Sequence, residues 1–198
     1  DMGYQVRLDR ALVAVGKVEL VRCDNFVVDL WRILGPARAK AHALDTPTSL
    51  GVPLVIDLME SAGVPSYAGT MKPPPGRYCA VRILGMPADE DAEGLSKENL
   101  DMMQHSVLIA GRVQDSETGE ETALLSRIWE VIDCELELDR PLEFNSPTVE
   151  NLSIQIDHTS WFDGIDFALL DEDAVRARIT ENVRSSLRAA LPLLEEEL

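Results

Sequence analysis

Through the first 157 residues, apolar and polar positions mostly alternate with a period of two. That is the spacing of a strand that buries one face. In RYCAVRI, Cys79, Val81 and Ile83 oppose Tyr78, Ala80 and Arg82. In CELELD, Cys134, Leu136 and Leu138 oppose Glu135, Glu137 and Asp139. LSIQID sets Leu152, Ile154 and Ile156 against Ser153, Gln155 and Asp157. In ALVAVGKVELVRC the apolar positions are Val13 and Val15, then Val18 and Leu20. The parity flips across Gly16 and Lys17, which predicts a β-bulge at the glycine. HSVLIAGRV is more uniformly apolar and suits a central strand, while NFVVDLWRIL and GVPLVIDLM are strand-like or mixed. One-faced alternation predicts antiparallel sheets over a core, and several such strands between turn signals predict a sandwich.

The period changes at the end. DEDAVRARITENVRSSLRAAL places Val175, Ile179, Val183 and Leu187 four apart, a helical stripe. Asp171 suits the N-cap, with Glu172 and Asp173 in the first turn, where the helix dipole favours anions. No repeat and no low-complexity linker divides the chain. The expectation is one domain over 1–198: an all-β antiparallel sandwich of prealbumin-like type over about 4–168, then one C-terminal helix over about 171–191. The stretch KPPPGRYCAVRI shows how one strand begins. Pro73 and Pro74 hold the chain extended, and Pro75-Gly76 suits the centre of a type II turn. Arg77 then launches a strand that puts Cys79 on the side of Val81 and Ile83.

Composition narrows the class. The chain has 198 residues and is 45% hydrophobic, enough for a buried core. It carries 35 acidic against 18 basic side chains, a formal charge of -17. Nucleic acid and anionic membranes would repel it. No run approaches the ~20 apolar residues of a membrane span. G-x-S-x-G, Gly-rich phosphate loops, H-E-x-x-H and C-x-x-C do not occur in the sequence.

Candidate ligands are few. His42, His105 and His158 are the three histidines, and Met102 and Met103 precede His105 closely. Imidazole and thioether suit copper, thioether especially Cu(I), so convergence of these side chains would make a soft-metal site. Otherwise they are three unrelated histidines, since no pair has short ligand spacing. Asp89, Glu90, Asp91 and Glu93 in PADEDAEGL, and Asp163 with Asp166 in WFDGIDFALLDED, are oxygen-rich enough for Ca²⁺ or are solvated acidic loops. Trp161-Phe162 reads as an aromatic plug between the last strand and the helix. Trp31 and Trp129 lie in apolar runs and read as core. Cys23, Cys79 and Cys134 fit no zinc spacing and leave one disulfide plus a spare, or three thiols.

The segments AHALDTPTSLGVPLVIDLM, PPPGRYCAVRI, PADEDAEGL and VLIAGRV, followed by IQIDHTSWFDGIDF, resemble a group of predicted secreted bacterial lipoproteins of unknown function. These are distantly similar to the MbnP-like proteins associated with copper handling. The resemblance covers roughly residues 10–168. It implies a periplasmic or cell-surface location, possible copper binding, and a Cys23–Cys79 disulfide worth ~2–4 kcal/mol. Cys134, alternating with Leu136 and Leu138, would then be a buried free thiol. MbnP-like proteins carry histidine-rich stretches, whereas AKAH holds one histidine here. The expected function is an exported, non-enzymatic binding protein whose partner is a metal ion or an envelope protein, not nucleic acid. The alternative is a structural or interaction module of the cell envelope with no metal.

Overall fold

A computed structural model describes residues 2–23, 46–51, 53–60, 65–145, 149–169 and 171–192. Among the described residues the elements are mostly antiparallel strands, with a single α-helix near the C-terminus. NFVVDLWRIL, with Trp31, and the AKAH segment fall outside the described residues.

One strand organises everything. β1, Tyr4–Arg22, runs for 19 residues. Its N-terminal half pairs with β5, Val107–Asp115, which pairs in turn with β6, Glu121–Ile128. Its C-terminal half pairs with β4, Gly76–Gly85, which pairs with β7, Ile132–Phe144. Ala14 shows how the halves divide. Its N–H donates to the Ser106 carbonyl (2.8 Å) and its carbonyl accepts from Met86 N–H (3.1 Å). Both groups of one strand residue point the same way, so β5 and β4 share one edge of β1 and part there. The short strands β2, Ser49–Leu50, and β3, Leu54–Asp57, occupy the other edge.

The parting is written into β1. The register shifts between Val15 and Lys17, so Gly16 forms the expected bulge. A Cβ on Gly16 would lie 2.6 Å from Met86, which is why the position has none. A second shift lies between Leu8 and Arg10, where the sequence reading expected none. The two bulges keep one face apolar along the whole strand: Tyr4, Val6 and Leu8, then Ala11, Val13 and Val15, then Val18 and Leu20.

That inner face is covered by the C-terminal segment. β8, Ser153–Ile156, pairs antiparallel with β9, Leu187–Ala190. Between them lie a 3-10 turn, His158–Ser160, and α1, Glu172–Ser186. Trp161, Ile165, Ile179, Val183 and Leu187 pack with Val13, Val107, Ile109, Ile128, Ile132 and Cys134 in one buried cluster. The arrangement is sandwich-like, with a large sheet under a layer of helix and two short strands. The opposite face of β1 buries Leu12 and Ala14 with Leu108 under Ala88, Ala92 and Met102, which come from the connection between β4 and β5.

Three local expectations change. The helix ends at Ser186 rather than 191, because Leu187 turns extended (φ -76, ψ 137) and its backbone pairs with β8. Its buried stripe therefore continues into a strand. The start is as read: Asp171 caps the helix by accepting from Ala174 N–H at 2.8 Å. In β4 the ladder slips between Tyr78 and Ala80, so Tyr78 enters the core with Leu20 and Leu142 while Cys79 sits in the irregularity. The type II turn at Pro75-Gly76 is replaced by a glycine at φ +155 that already pairs with Phe144. The prolines are instead tied down from the strand: Tyr78 Oη donates to the Pro74 carbonyl (3.0 Å) and Arg22 Nη2 to that of Pro75 (3.3 Å).

Candidate functional site

At the β1–β4 end, Cys23 and Cys79 are joined by a disulfide across 56 residues of sequence. Cys23 N–H also donates to the Arg77 carbonyl (3.1 Å), so the bridge closes the last rung of the ladder. Cys134 is a buried free thiol whose Sγ lies 3.7 Å from the Arg184 carbonyl. Burial pushes its pKa up, with Arg184 pulling the other way. A thiol held protonated in this way is a poor nucleophile.

The expected metal ligands are spread out. His105 lies in the connection over the outer face, where its N–H donates to the Met102 carbonyl (3.0 Å) and its carbonyl accepts from Ala88 (2.9 Å). Met102 is fully buried against Leu12 and Leu108, and Met103 is exposed. His158 belongs to the opposite layer, its ring edge-on to Trp161 with centroids 6.3 Å apart. His105 thus belongs by its backbone to the connection between β4 and β5 and His158 to the layer of the helix, while His42 lies outside the described residues. Among the described residues, no three His, Cys, Asp or Glu side chains gather as a metal group would require. One feature of His105 stands apart: its Nδ1 is buried with no hydrogen-bond partner.

The acidic loops are occupied by their own backbone. Asp89 Oδ1 accepts from Asp91 N–H (3.2 Å). Asp166 Oδ1 accepts from Tyr4 Oη (3.1 Å) and from the N–H groups of Ala168 and Leu169. Trp161 is the plug that its sequence position suggests: it is fully buried, and its Nε1 donates to Ser186 Oγ (2.9 Å). Asn182 Nδ2 holds the carbonyls of Trp161 and Asp163 from the helix (2.9 and 3.0 Å).

Trp129 overturns its assignment to the core. It is 51% exposed in the turn between β6 and β7, with the Arg176 guanidinium 4.3 Å from its ring centroid. Asp173 Oδ1 fixes that arginine from one helical turn earlier (2.8 Å). Val131 beside it is 53% exposed, and Leu125 on β6 is 55% exposed. The signal was present in the period. Leu124, Ser126 and Ile128 point inward, so position 129 continues the outward row of Leu125 and Arg127. Two open grooves flank the sheet. One, of about 310 Å³, lies between Thr46, Ser49, Leu50 and Met71. The other, of about 260 Å³, lies between Tyr4, Leu124 and Phe167.

Comparison of the chain with protein-family models, with curated proteins and with solved structures found no match. Among the described residues, no helix is long and apolar enough to cross a membrane. What the described residues define is a mostly antiparallel β fold, covered by a helix near the C-terminus, with an aromatic–arginine pair displayed at a strand turn.

Proposed function

We propose that the chain is an exported, non-enzymatic binding protein that works at the cell envelope by contacting another protein through the β6–β7 turn. The observation that carries this reading is Trp129, half exposed and held in place by Arg176. Tryptophan and arginine are the residues that most often dominate protein–protein contacts, and a pre-fixed rotamer lowers the ordering cost of binding. The Cys23–Cys79 bridge supports an oxidising compartment. The resemblance to secreted lipoproteins points the same way.

The test is a photo-crosslinking residue at Val131 in cells that make the protein. The expected outcome is a discrete product that disappears with Trp129→Ala. Labelling no stronger than at Lys97, on the outer face, would sink the contact. The export half is checked by fractionation with thiol alkylation: an envelope location with Cys23 and Cys79 protected is expected, and a cytosolic pool with both alkylated contradicts it.

A soft metal at His105 is the second reading. It is favoured by the unpartnered buried Nδ1, which an ion could satisfy, with Met103 nearby in sequence. Elemental analysis after Cu(I) titration tests it. Stoichiometric copper lost in His105→Ala and in His42→Ala supports it, and an unchanged copper content in His105→Ala removes it.

A further inference from the structure

The outer strands β6 and β7 of the large sheet are built differently. β7 carries Pro141 and an interruption of its ladder with β4, which skips from Leu142 to Glu137. Glu137 and Asp139 project from it, exposed. Proline, irregular pairing and projecting charge are the devices that keep an edge strand from pairing with another chain. β6 has none of them along its middle. Its eight residues pair with β5 in unbroken register from Glu121 to Ile128, with no proline. Among the described residues, β6 pairs with β5 alone.

Its free edge can be assigned group by group. Asp115 N–H donates to the Glu120 carbonyl (3.0 Å), and Ser106 N–H donates to that of Ile128 (2.7 Å). Antiparallel bonds alternate along the ladder. Thr122, Leu124, Ser126 and Ile128 therefore spend their backbone groups on β5. Glu121, Ala123, Leu125 and Arg127 direct theirs outward.

We propose that β6 pairs antiparallel with β6 of a second copy of this chain, about a dyad at Leu124. In that register Glu121 faces Arg127 of the second copy and Ala123 faces Leu125, each pair occurring twice. All four residues have outward N–H and C=O groups, so they form the hydrogen-bonded pairs of the new ladder. The side chains are self-complementary: two opposite-charge pairs flank two small-with-large apolar pairs. The Leu125 side chain, 55% exposed in one copy, is covered. The strip ETALLSRI is electrically neutral on a chain of charge -17, so repulsion is least where the copies meet. This goes beyond the contact proposed for Trp129 and does not depend on it. The two Trp129 turns lie at opposite ends of the joined strands, about 30 Å apart, and would offer two binding points on one particle.

The test is sedimentation velocity on the full chain over a micromolar-to-millimolar range, with amide hydrogen exchange at each concentration. A monomer–dimer equilibrium is expected, with the amides of Ala123, Leu125 and Arg127 slowing as dimer accumulates. Glu121→Arg and Arg127→Glu should each weaken dimerisation about tenfold or more, and the double reversal should restore it to within about threefold. Glu121 also lies 3.5 Å from Arg112, but that pair is exposed and its loss is minor for folding. Leu125→Pro, which removes an outward donor without touching the β5 ladder, should abolish the dimer while leaving the far-UV circular dichroism intact. A wild type that stays monomeric throughout overturns the proposal. So does a dimer whose β6 amides do not slow, or one that the double reversal fails to rescue.

Discussion

The two faces of the large sheet are sealed in different ways, although the same strand feeds both. On the inner face, the segment from β8 to β9 lays down a helix, two short strands and Trp161 as one cluster that reaches both halves of β1. Its buried polar atoms are paired in series: Trp161 Nε1 donates to Ser186 Oγ, and Ser186 Oγ donates to the Val183 carbonyl (2.7 Å). On the outer face, the connection between β4 and β5 supplies small residues and Met102 over a patch of Leu12, Ala14 and Leu108. Among the described residues, two buried side-chain polar atoms stay unpaired, His105 Nδ1 in that connection and Ser126 Oγ on the inward row of β6. Both layers take partners from β1: Asp101 accepts from Arg10 (2.5 and 2.8 Å), and Asp166 accepts from Tyr4 Oη (3.1 Å).

The strongest way to break this asymmetry is Trp161→Ala. It opens a cavity in the inner cluster and strips Ser186 of its partner, so a loss of about 3–5 kcal/mol is expected in urea unfolding. A cost below that of Met102→Ala would reverse the ranking of the two layers. Removing the clasp outside both layers, with Cys23→Ser and Cys79→Ser together, should cost about 2–4 kcal/mol and lower the melting temperature. Reduction of the wild type should reproduce that shift. On the outer face, Met102→Ala should cost about 2–3 kcal/mol, because a fully buried side chain leaves a gap that a loop can partly close. Ser186→Ala leaves Trp161 Nε1 buried without an acceptor and should cost about 1–2 kcal/mol. Near-UV circular dichroism of the tryptophan is the sensitive readout.

The smallest effects are those of pH, and they separate the layers by sign. Arg10, hydrogen-bonded to Asp101, holds that carboxyl below its usual range. A depressed carboxyl stabilises the fold above its ordinary pKa, and the contribution is lost as pH falls through the folded value. Acid should therefore loosen the outer layer, and Asp101→Asn should remove that part of the pH dependence at a cost below about 1 kcal/mol. Tyr4 is pushed the other way, first by loss of solvent and then by its hydrogen bond to Asp166. A raised phenol stabilises below its ordinary pKa, and that contribution is lost as pH rises through the folded value. Alkali should therefore release the loop at Asp166 and Ala168 from β1, and Tyr4→Phe should abolish the alkaline step. Hydrogen exchange at Leu169 against that at Met103 would follow the two layers separately.

Much of this architecture was legible along the chain. Alternation located β4, β7 and β8, a uniformly apolar run located β5, and the parity flip at Gly16 located the bulge where β1 divides, while β6 went unread. The Asp171 cap and the stripe from Val175 placed the helix start, because capping and amphipathicity are local. Where the pattern misled, a distant partner had decided the outcome. The stripe through Leu187 is continuous, yet Leu187 is a strand residue because β8 offers its backbone hydrogen bonds there. Cys79 alternates with Val81 in sequence, yet Tyr78 takes the core, since a ladder slip cannot be read from one strand alone. Trp129 looked like core by its neighbours and is surface by its parity.

The sequence by itself determined the strand-rich class, the bulge, the plug at Trp161 and the cap of the helix, since each follows from residues within a few positions of one another. Only the tertiary structure decided that β4 and β5 share one edge of β1, and that His105 bonds within the connection between β4 and β5 while His158 packs on Trp161. It also decided that, among the described residues, β6 pairs on one side only, without the proline and broken ladder of β7. Those are relations between segments up to a hundred residues apart. They are set by which backbone groups find partners and which apolar faces find cover, and neither can be counted from one strand at a time.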